Sequence, residues 1–427
     1  MRILILSWEY PPQIIGGLGR HVDRLSESLA AEGHEVHVLT RDAPGLPDAE
    51  QIGRVHVHRV PEYPPRVPFD DLVPWVLQFN LGLVQRGVQM LHGRQIDVIH
   101  AHDWLVAYAA ASLHELFNVP LVGTVHATEY GRHQGYLPGP MNRLIHQVEW
   151  WLTYVARRVI TCSPYMRDQV RDIFELPPAK LDVVANGVAL RMDASDVGND
   201  SVHDRDPMIL FAGRLEYEKG VQTLIEAAPQ ILDRYPDARF VIAGDGTFGD
   251  ELQKLVAECG LGDSFDFRGF CDDESMPALY REASVVVAPS IYEPFGIVAL
   301  EAMAARVPVI VGGTGGLREI VRDGENGLHV PPEDAAALAG SVARILGDPE
   351  LRARLVEGGS KTSRTRTWRT IARQTVDVYN RAIVEEREFR EAFEERPPLR
   401  LVWDASAAYR ETVLSDDGFD TEEEASS

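Results

Sequence analysis

Glu293 and Glu301 stand eight residues apart in the segment SIYEPFGIVALE (290–301). Both side chains accept hydrogen bonds from hydroxyl groups. The segment follows SVVVAP (284–289), an apolar run of the length of a buried parallel strand, and precedes Ala299 and the small apolar residues 302–305, which suit a helix. One carboxylate therefore lies on a strand-to-helix turn and the other in the first turns of the helix. Open α/β sheets bind ligands at such turns, beyond the carboxyl ends of their strands. Two readings stand: acid/base partners, or groups that hold two parts of one polyhydroxylated ligand such as a nucleotide sugar.

Three glycine-rich turns surround this pair in the sequence. IIGGLGR (14–20) leads into a helix, where backbone N–H groups can approach an anion or a sugar, although a plain tight turn also fits. Its spacing is not GxGxxG, so a dinucleotide cofactor is not supported. GRLEYEKG (213–220) places Arg214 and Lys219 after a strand. Two cations there suit a diphosphate, and the bland alternative is a solvated basic turn. GGTGGLRE (312–319) is a second such turn before a helix expected over 317–322. HAHDW (100–104) and TVHATEYG (124–131) end two further strands. A histidine at a strand end is commonly structural, which suits His100; His126, with Glu129 three residues on, is the stronger candidate for a site. No GxSxG, HExxH or Walker pattern occurs, and the acidic pairs Asp272–Asp273 and Asp416–Asp417 form no metal motif, so no metal is expected.

These residues need a scaffold, and the apolar pattern supplies it. Strand-like runs at 2–7, 35–40, 55–60, 97–102, 120–126, 158–163 and 181–186 alternate with amphipathic stretches such as 21–32 and 106–116. A polar, Gly- and Asp-rich segment interrupts the rhythm around 187–206. A second series then begins, at 208–213, 239–244, 264–269, 284–289 and 307–312. This is a βαβ rhythm, repeated: α/β, two Rossmann-like doubly wound parallel-sheet domains in tandem. Residues 364–396 read as one long terminal helix.

Composition narrows the function. The net charge of −23 argues against nucleic acid or an anionic membrane as principal partner. Seven acids after Arg410, with no later Lys or Arg, read as a solvated, disordered tail. Three cysteines without paired spacing fit a reducing, cytoplasmic setting. No apolar run approaches the ~18 residues of a membrane span, and the short amino-terminal run reads as a strand rather than a signal peptide.

Taken together, GGLGR, HAHDW, TVH, NGV (186–188), GRLEYEKG, GDG (244–246), EPFGIVALE and GGTGG resemble the retaining GT-B glycosyltransferases of family GT4 and the related bacterial glycogen synthases, over roughly residues 1–385. The resemblance implies two domains facing a central cleft: an acceptor-side domain (1–187), a linker (188–206), a nucleotide-sugar domain (207–370), a terminal helix packing back on the first domain (371–410) and the acidic tail (411–427). It implies that Gly16 and Gly17 line the donor phosphate and that His126 meets the donor sugar. Arg214 and Lys219 would bind the diphosphate, Glu293 the sugar hydroxyls and Glu301 the ribose. Backbone near Gly315, Gly316 and Leu317 would touch phosphates, and Arg268, Gly269 and Phe270 would border the base. No metal or other cofactor is implied beyond the substrate nucleotide sugar.

The implied reaction moves glucose from UDP- or ADP-glucose to an α-glucan, most simply through a 1,4 linkage, with retention. The family's glycogen synthases carry a Lys where this chain has Ile14–Ile15, so the donor base stays open. Alternatives are a lipid or small-alcohol acceptor of the inositol or phosphatidylinositol type, and a non-catalytic nucleotide-sugar or glucan-binding protein. Trp150 and Trp151 would serve a lipid acceptor as an exposed patch, but read more simply as core or acceptor-loop residues. A homo-oligomer is compatible with the sequence.

Overall fold

Alternate residues of the first strand serve opposite faces: Ile3 and Ile5 join one apolar cluster, Leu4 and Leu6 another. This period of two, with no polar face, marks a strand covered on both sides. The structure is a computed structural model that describes residues 1–61, 72–91, 95–188, 206–272 and 274–394. Most of the expected linker and all of the expected acidic tail lie outside the described residues, as does Asp273.

The first domain is built on an eight-stranded sheet of β1 (Arg2–Leu6), β2 (Glu35–Arg41), β3 (Ala49–Ile52), β4 (Val55–Val60), β5 (Val98–His102), β6 (Leu121–Val125), β7 (Arg158–Thr161) and β8 (Leu181–Val183). Their order is β3-β4-β2-β1-β5-β6-β7-β8. All pairs are parallel except β3 with β4, which form a hairpin at the edge. The sequence reading did not include β3, whose residues AEQI carry no apolar alternation. The second domain has β9 (Met208–Ala212), β10 (Arg239–Ala243), β11 (Phe265–Gly269), β12 (Val285–Ala288), β13 (Val309–Gly312) and β14 (Leu328–Val330), ordered β11-β10-β9-β12-β13-β14 and parallel throughout. Here too, Ile209 and Phe211 face one cluster while Met208 and Leu210 face the other.

Each sheet reverses its strand order at one place, between β1 and β5 in the first and between β9 and β12 in the second. The loops leaving these strands diverge and open a crevice there. The loop after β1 holds Glu9 and Gly16, and the loop after β5 holds Asp103. The loop after β9 holds Arg214 and Lys219, and that after β12 holds Glu293. The expected candidate residues of 213–220 and 290–301 thus sit at a switch point by topology.

The expected terminal helix is present as one helix and starts four residues later than read, at Trp368. One helix (Pro349–Arg364) ends, and another (Trp368–Glu394) begins after Thr367, whose Oγ1 accepts the Thr370 N–H at 3.3 Å. The break is used: the Arg366 carbonyl accepts the Val188 N–H at 2.8 Å. The second helix lays Trp368, Ile371, Ala372, Val378 and Tyr379 on the face of the first sheet that carries Ile3 and Ile5. Arg369 and Arg373 both donate to Glu32, at 2.6 and 2.8 Å. Of the described residues, 384–394 belong to a separate unit, in which Arg390 pairs with Glu386 at 2.7 Å. The helix expected over 317–322 is a single turn, Leu317–Ile320. Among the described residues, no helix is long and apolar enough to cross a membrane.

Candidate active site

The two switch points face each other across a cleft of about 920 Å³ lined by both domains. On the first-domain side, the Glu9 carboxylate turns inward beneath the glycine loop. Its Oε2 accepts the N–H groups of Ile15, Gly16 and Gly19 at 2.9, 3.0 and 3.3 Å. Burial raises its pKa, against the pull of these three bonds. The Gly16 N–H, expected to face a phosphate, is therefore used inside the protein. Gly16 and Gly17 do line the cleft, and they are small for a reason of packing. A Cβ on Gly16 would lie 3.5 Å from Cδ of Arg214, and one on Gly17 3.5 Å from Cδ1 of Ile297. The sequence reading missed Glu9; its signal was a carboxylate between the first strand and the glycine pair.

On the second-domain side, Lys219 Nζ donates to Glu293 Oε2 at 2.8 Å, with the two side chains 16% and 14% exposed. These residues, expected to act separately on a ligand, are each other's partner. Their turns are stitched together: the N–H groups of Ile291 and Tyr292 both donate to the Glu218 carbonyl, at 2.8 and 3.3 Å. Gly220 makes this possible. Its φ is 74°, and a Cβ would stand 2.1 Å from the Pro289 carbonyl oxygen. Arg214 is more open, 37% exposed, with Glu218 at 3.5 Å and Glu216 at 3.9 Å. Next to Glu293, the helix Ile297–Ala304 starts at the cleft, so its first N–H groups face the space beside Arg214 and Lys219. Glu301, one turn further on, accepts the Tyr280 hydroxyl at 2.8 Å and has Arg20 of the first domain at 3.6 Å.

Five expected ligand contacts fall elsewhere. Gly315, Gly316 and Leu317 pack beneath the EPFG turn and do not line the cleft. The Gly316 N–H donates to the Glu293 carbonyl at 2.9 Å, and a Cβ on Gly315 would meet that same oxygen at 2.1 Å. The second glycine-rich turn therefore supports the Glu293 loop. Arg268 points from the edge strand β11 to Asp266, at 2.6 Å, and Gly269 ends that strand outside the cleft wall. Phe270 and Cys271, the next residues, do line it, and the Phe270 ring is 56% exposed at the lip.

The remaining wall belongs to the ends of β5 and β6. Asp103, held at φ 60°, accepts the His126 N–H at 2.8 Å. Burial lifts its carboxyl to about 6 and pushes the His126 imidazole down to about 3, with the Arg132 cation adding to the latter. His126 is neutral at neutral pH and pairs through Nε2 with His102 Nδ1 at 3.0 Å. His100 has a structural place: fully buried, bonded to Tyr379 and Thr124 at 2.7 and 2.6 Å. Glu129 turns away from His126. It accepts from Arg132 at 3.2 Å and Asn142 at 2.6 Å, while its own N–H donates to Glu149 at 2.8 Å. Burial raises Glu149 to about 8. Arg132 also reaches the cleft. Trp150 and Trp151 are neither core nor cleft. They are 43% and 37% exposed and stack with Tyr154, at centroid distances of 5.2 and 6.2 Å. Cys162, Cys259 and Cys271 are all free thiols.

Comparison with known proteins agrees with this architecture. Residues 15–191 match the family described as Glycosyltransferase Family 4, and residues 198–362 match that described as Glycosyl transferases group 1. The chain is 38% identical to a glycogen synthase of Mycobacterium tuberculosis over 397 residues, covering 89% of this chain and 94% of that one. It is 33% identical to a D-inositol 3-phosphate glycosyltransferase of Frankia alni, over 86% of this chain and 95% of the other. Among solved structures, sucrose-phosphate synthase from Thermosynechococcus elongatus superposes with a TM-score of 0.79 at 28% identity, covering 90% of this chain and 99% of that chain. The two facing parallel-sheet domains, the charged turns at both switch points and these likenesses place the chain in the GT4 family of GT-B glycosyltransferases, as a hexosyltransferase that uses a nucleotide-sugar donor.

Proposed function

We propose that the protein transfers glucose from UDP-glucose or ADP-glucose to the end of an α-glucan, forming a 1,4 linkage with retention at the anomeric carbon. The observation that carries this reading is the cationic turn of Arg214 and Lys219, set beside Glu293 and a helix amino end and facing neutral His126 across the cleft. The 38% likeness to a mycobacterial glycogen synthase supports glucan as acceptor.

The chemistry follows from charge. Cleavage of the sugar–phosphate bond builds positive charge on the anomeric carbon and negative charge on the departing diphosphate. Arg214 and Lys219 stabilise the diphosphate, with the N–H groups that open the helix Ile297–Ala304. Glu293, released from Lys219, accepts from sugar hydroxyls. Glu301 and Tyr280 take the ribose end, and Phe270 offers a face to the base. Neutral His126 presents a ring nitrogen to the sugar without adding a cation next to the positive anomeric carbon. The acceptor hydroxyl attacks on the face from which diphosphate leaves, and its proton passes to a diphosphate oxygen, so no protein nucleophile is needed.

A second reading is transfer to a phosphorylated small alcohol. It is favoured by Arg132, a cation on the first-domain wall away from the diphosphate turn, and by the likeness to the D-inositol 3-phosphate glycosyltransferase. One experiment separates them: nucleotide release from UDP-glucose, ADP-glucose and GDP-mannose, each with glycogen, inositol 3-phosphate or phosphatidylinositol. Release with a glucose donor and glycogen supports the first reading. Release only with a mannose donor, or only with an inositol acceptor, overturns it.

A further inference from the structure

Behind His126, the first domain brings three imidazoles together from three elements: His21 from the helix Gly17–Ala31, His102 from the end of β5, and His126 from just beyond β6. One ring nitrogen of each lies within 4.8 Å of the others. His21 donates from Nδ1 to Asn186 Oδ1 at 2.7 Å, which leaves the lone pair on Nε2. That Nε2 is buried and has no hydrogen-bond partner. Buried imidazole nitrogens are normally satisfied. Metal-ligating histidines characteristically donate their other ring N–H to a fixed acceptor, as His21 does to Asn186.

We infer that His21, His102 and His126 bind one borderline divalent transition ion, of which Zn²⁺ is the type, and that the bound ion withdraws His126 from the cleft. An all-imidazole set selects Zn²⁺, Co²⁺, Ni²⁺ or Cu²⁺ over Mg²⁺ and Ca²⁺. Zinc–nitrogen bonds of about 2.0–2.1 Å require the rings to close up by less than about an ångström each. His102 and His126 are already 3.0 Å apart. Because His126 lines the cleft, a fourth coordination position opens towards it. Of the fixed charges near His126, Arg132 opposes a cation and the Asp103 carboxylate favours it.

The test uses the full chain stripped by a chelator. Co²⁺ is titrated while the visible absorption of tetrahedral cobalt is read, and Zn²⁺ binding is measured by equilibrium dialysis. We expect one ion per chain at sub-millimolar Zn²⁺, not displaced by Mg²⁺. Affinity should fall by at least about tenfold in His21→Gln and in His126→Ala. A second imidazole group on β2 and β4, His37 with His56 and His58, serves as control; the variant His56→Gln/His58→Gln should bind as the parent does. Circular dichroism checks each fold, and partly exposed His126 keeps the test open if His21→Gln does not fold. No binding by the parent, equal binding by both site variants, or loss only in the β4 variant overturns the site. Zn²⁺ should also suppress nucleotide release, and EDTA should restore it. Unchanged release from zinc-loaded protein overturns the withdrawal of His126. This last arm alone rests on the proposed transfer; the binding arms do not.

Discussion

Replacing Lys219 by Met leaves the Glu293 carboxylate, 14% exposed, without its counter-ion, and Glu293→Gln does the reverse to Lys219. At 2.8 Å the Coulomb attraction is about 6 kcal/mol for an effective dielectric constant of 20, which sets a ceiling. Breaking one partner of such a buried pair costs about 3–5 kcal/mol, because the survivor stays desolvated. With some 15% of each side chain still wet, the lower end applies, so each single variant should lose about 3 kcal/mol. The double variant Lys219→Met/Glu293→Gln leaves no orphaned charge. It should lose no more than either single, a coupling of about 3 kcal/mol. Turnover behaves differently. In the proposed reaction Lys219 also faces the leaving diphosphate, where loss of one stabilising group costs about 100-fold or more. The double variant should therefore recover stability but not rate. Urea unfolding followed by circular dichroism, together with nucleotide release from UDP- and ADP-glucose, measures both. Single variants within ~0.5 kcal/mol of the parent would mean that solvent screens the pair as at an open surface. A double variant with restored turnover would refute the role of Lys219 at the diphosphate.

Glu9→Ala strands three N–H groups at the entrance to the glycine loop. It should destabilise the fold by about 2–3 kcal/mol in urea and raise the donor KM. Gly220→Ala forces a Cβ against the Pro289 carbonyl at φ 74°, so it should separate the Arg214 and Glu293 turns and abolish nucleotide release, whereas Gly269→Ala, with φ 65° but open space, should cost only about 1 kcal/mol and retain activity. Asp103 titrates near 6 in the fold against 3.8 as a free carboxyl, so the folded chain binds the extra proton between these values. Its burial therefore opposes folding by up to about 3 kcal/mol above pH 6, and the penalty fades as pH falls towards 4. Urea midpoints of Asp103→Asn should exceed those of the parent at pH 7.5 and converge with them near pH 4. His126→Ala should lower kcat by about 100-fold with either glucose donor, read by nucleotide release.

The sheets were legible because parallel strands buried on both faces are written as short unbroken apolar runs, and 208–213 or 284–289 can hardly be anything else. The loop positions of Arg214, Lys219 and Glu293 followed, since turns at strand ends must lie at the sheet edge. What each side chain touches did not follow. Lys219 and Glu293 are 74 positions apart in sequence, and their pairing depends on β9 and β12 being neighbours, an order that no local pattern encodes. GGTGG carries the composition of a phosphate loop, yet its glycines are required by the approach of the EPFG backbone. Arg268 precedes a cleft residue, but strand alternation and the edge position of β11 turn it towards Asp266. β3 escaped because its residues, AEQI, carry no apolar alternation and only the hairpin with β4 makes them a strand.

The cleft's charged groups are largely satisfied by one another: Lys219 by Glu293, Glu301 by Tyr280 and Arg20, Glu9 by three backbone N–H groups. In the proposed reaction, binding a donor is thus an exchange of partners, diphosphate for carboxylate on Lys219 and sugar hydroxyl for ammonium on Glu293. Such an exchange contributes little net affinity, since each new bond replaces an old one. It contributes more as the bond breaks. Negative charge then grows on the diphosphate beside a cation already desolvated and held in place, and the gain is confined to the transition state. Arg214 differs in being 37% exposed, with carboxylates no nearer than 3.5 Å, so it is the cation with least to give up. Arg214→Ala should therefore weaken donor binding more than Lys219→Met does, while Lys219→Met lowers kcat more. Equal KM and kcat losses in the two variants would show that the pairing of Lys219 with Glu293 has no part in how the cleft divides binding from catalysis.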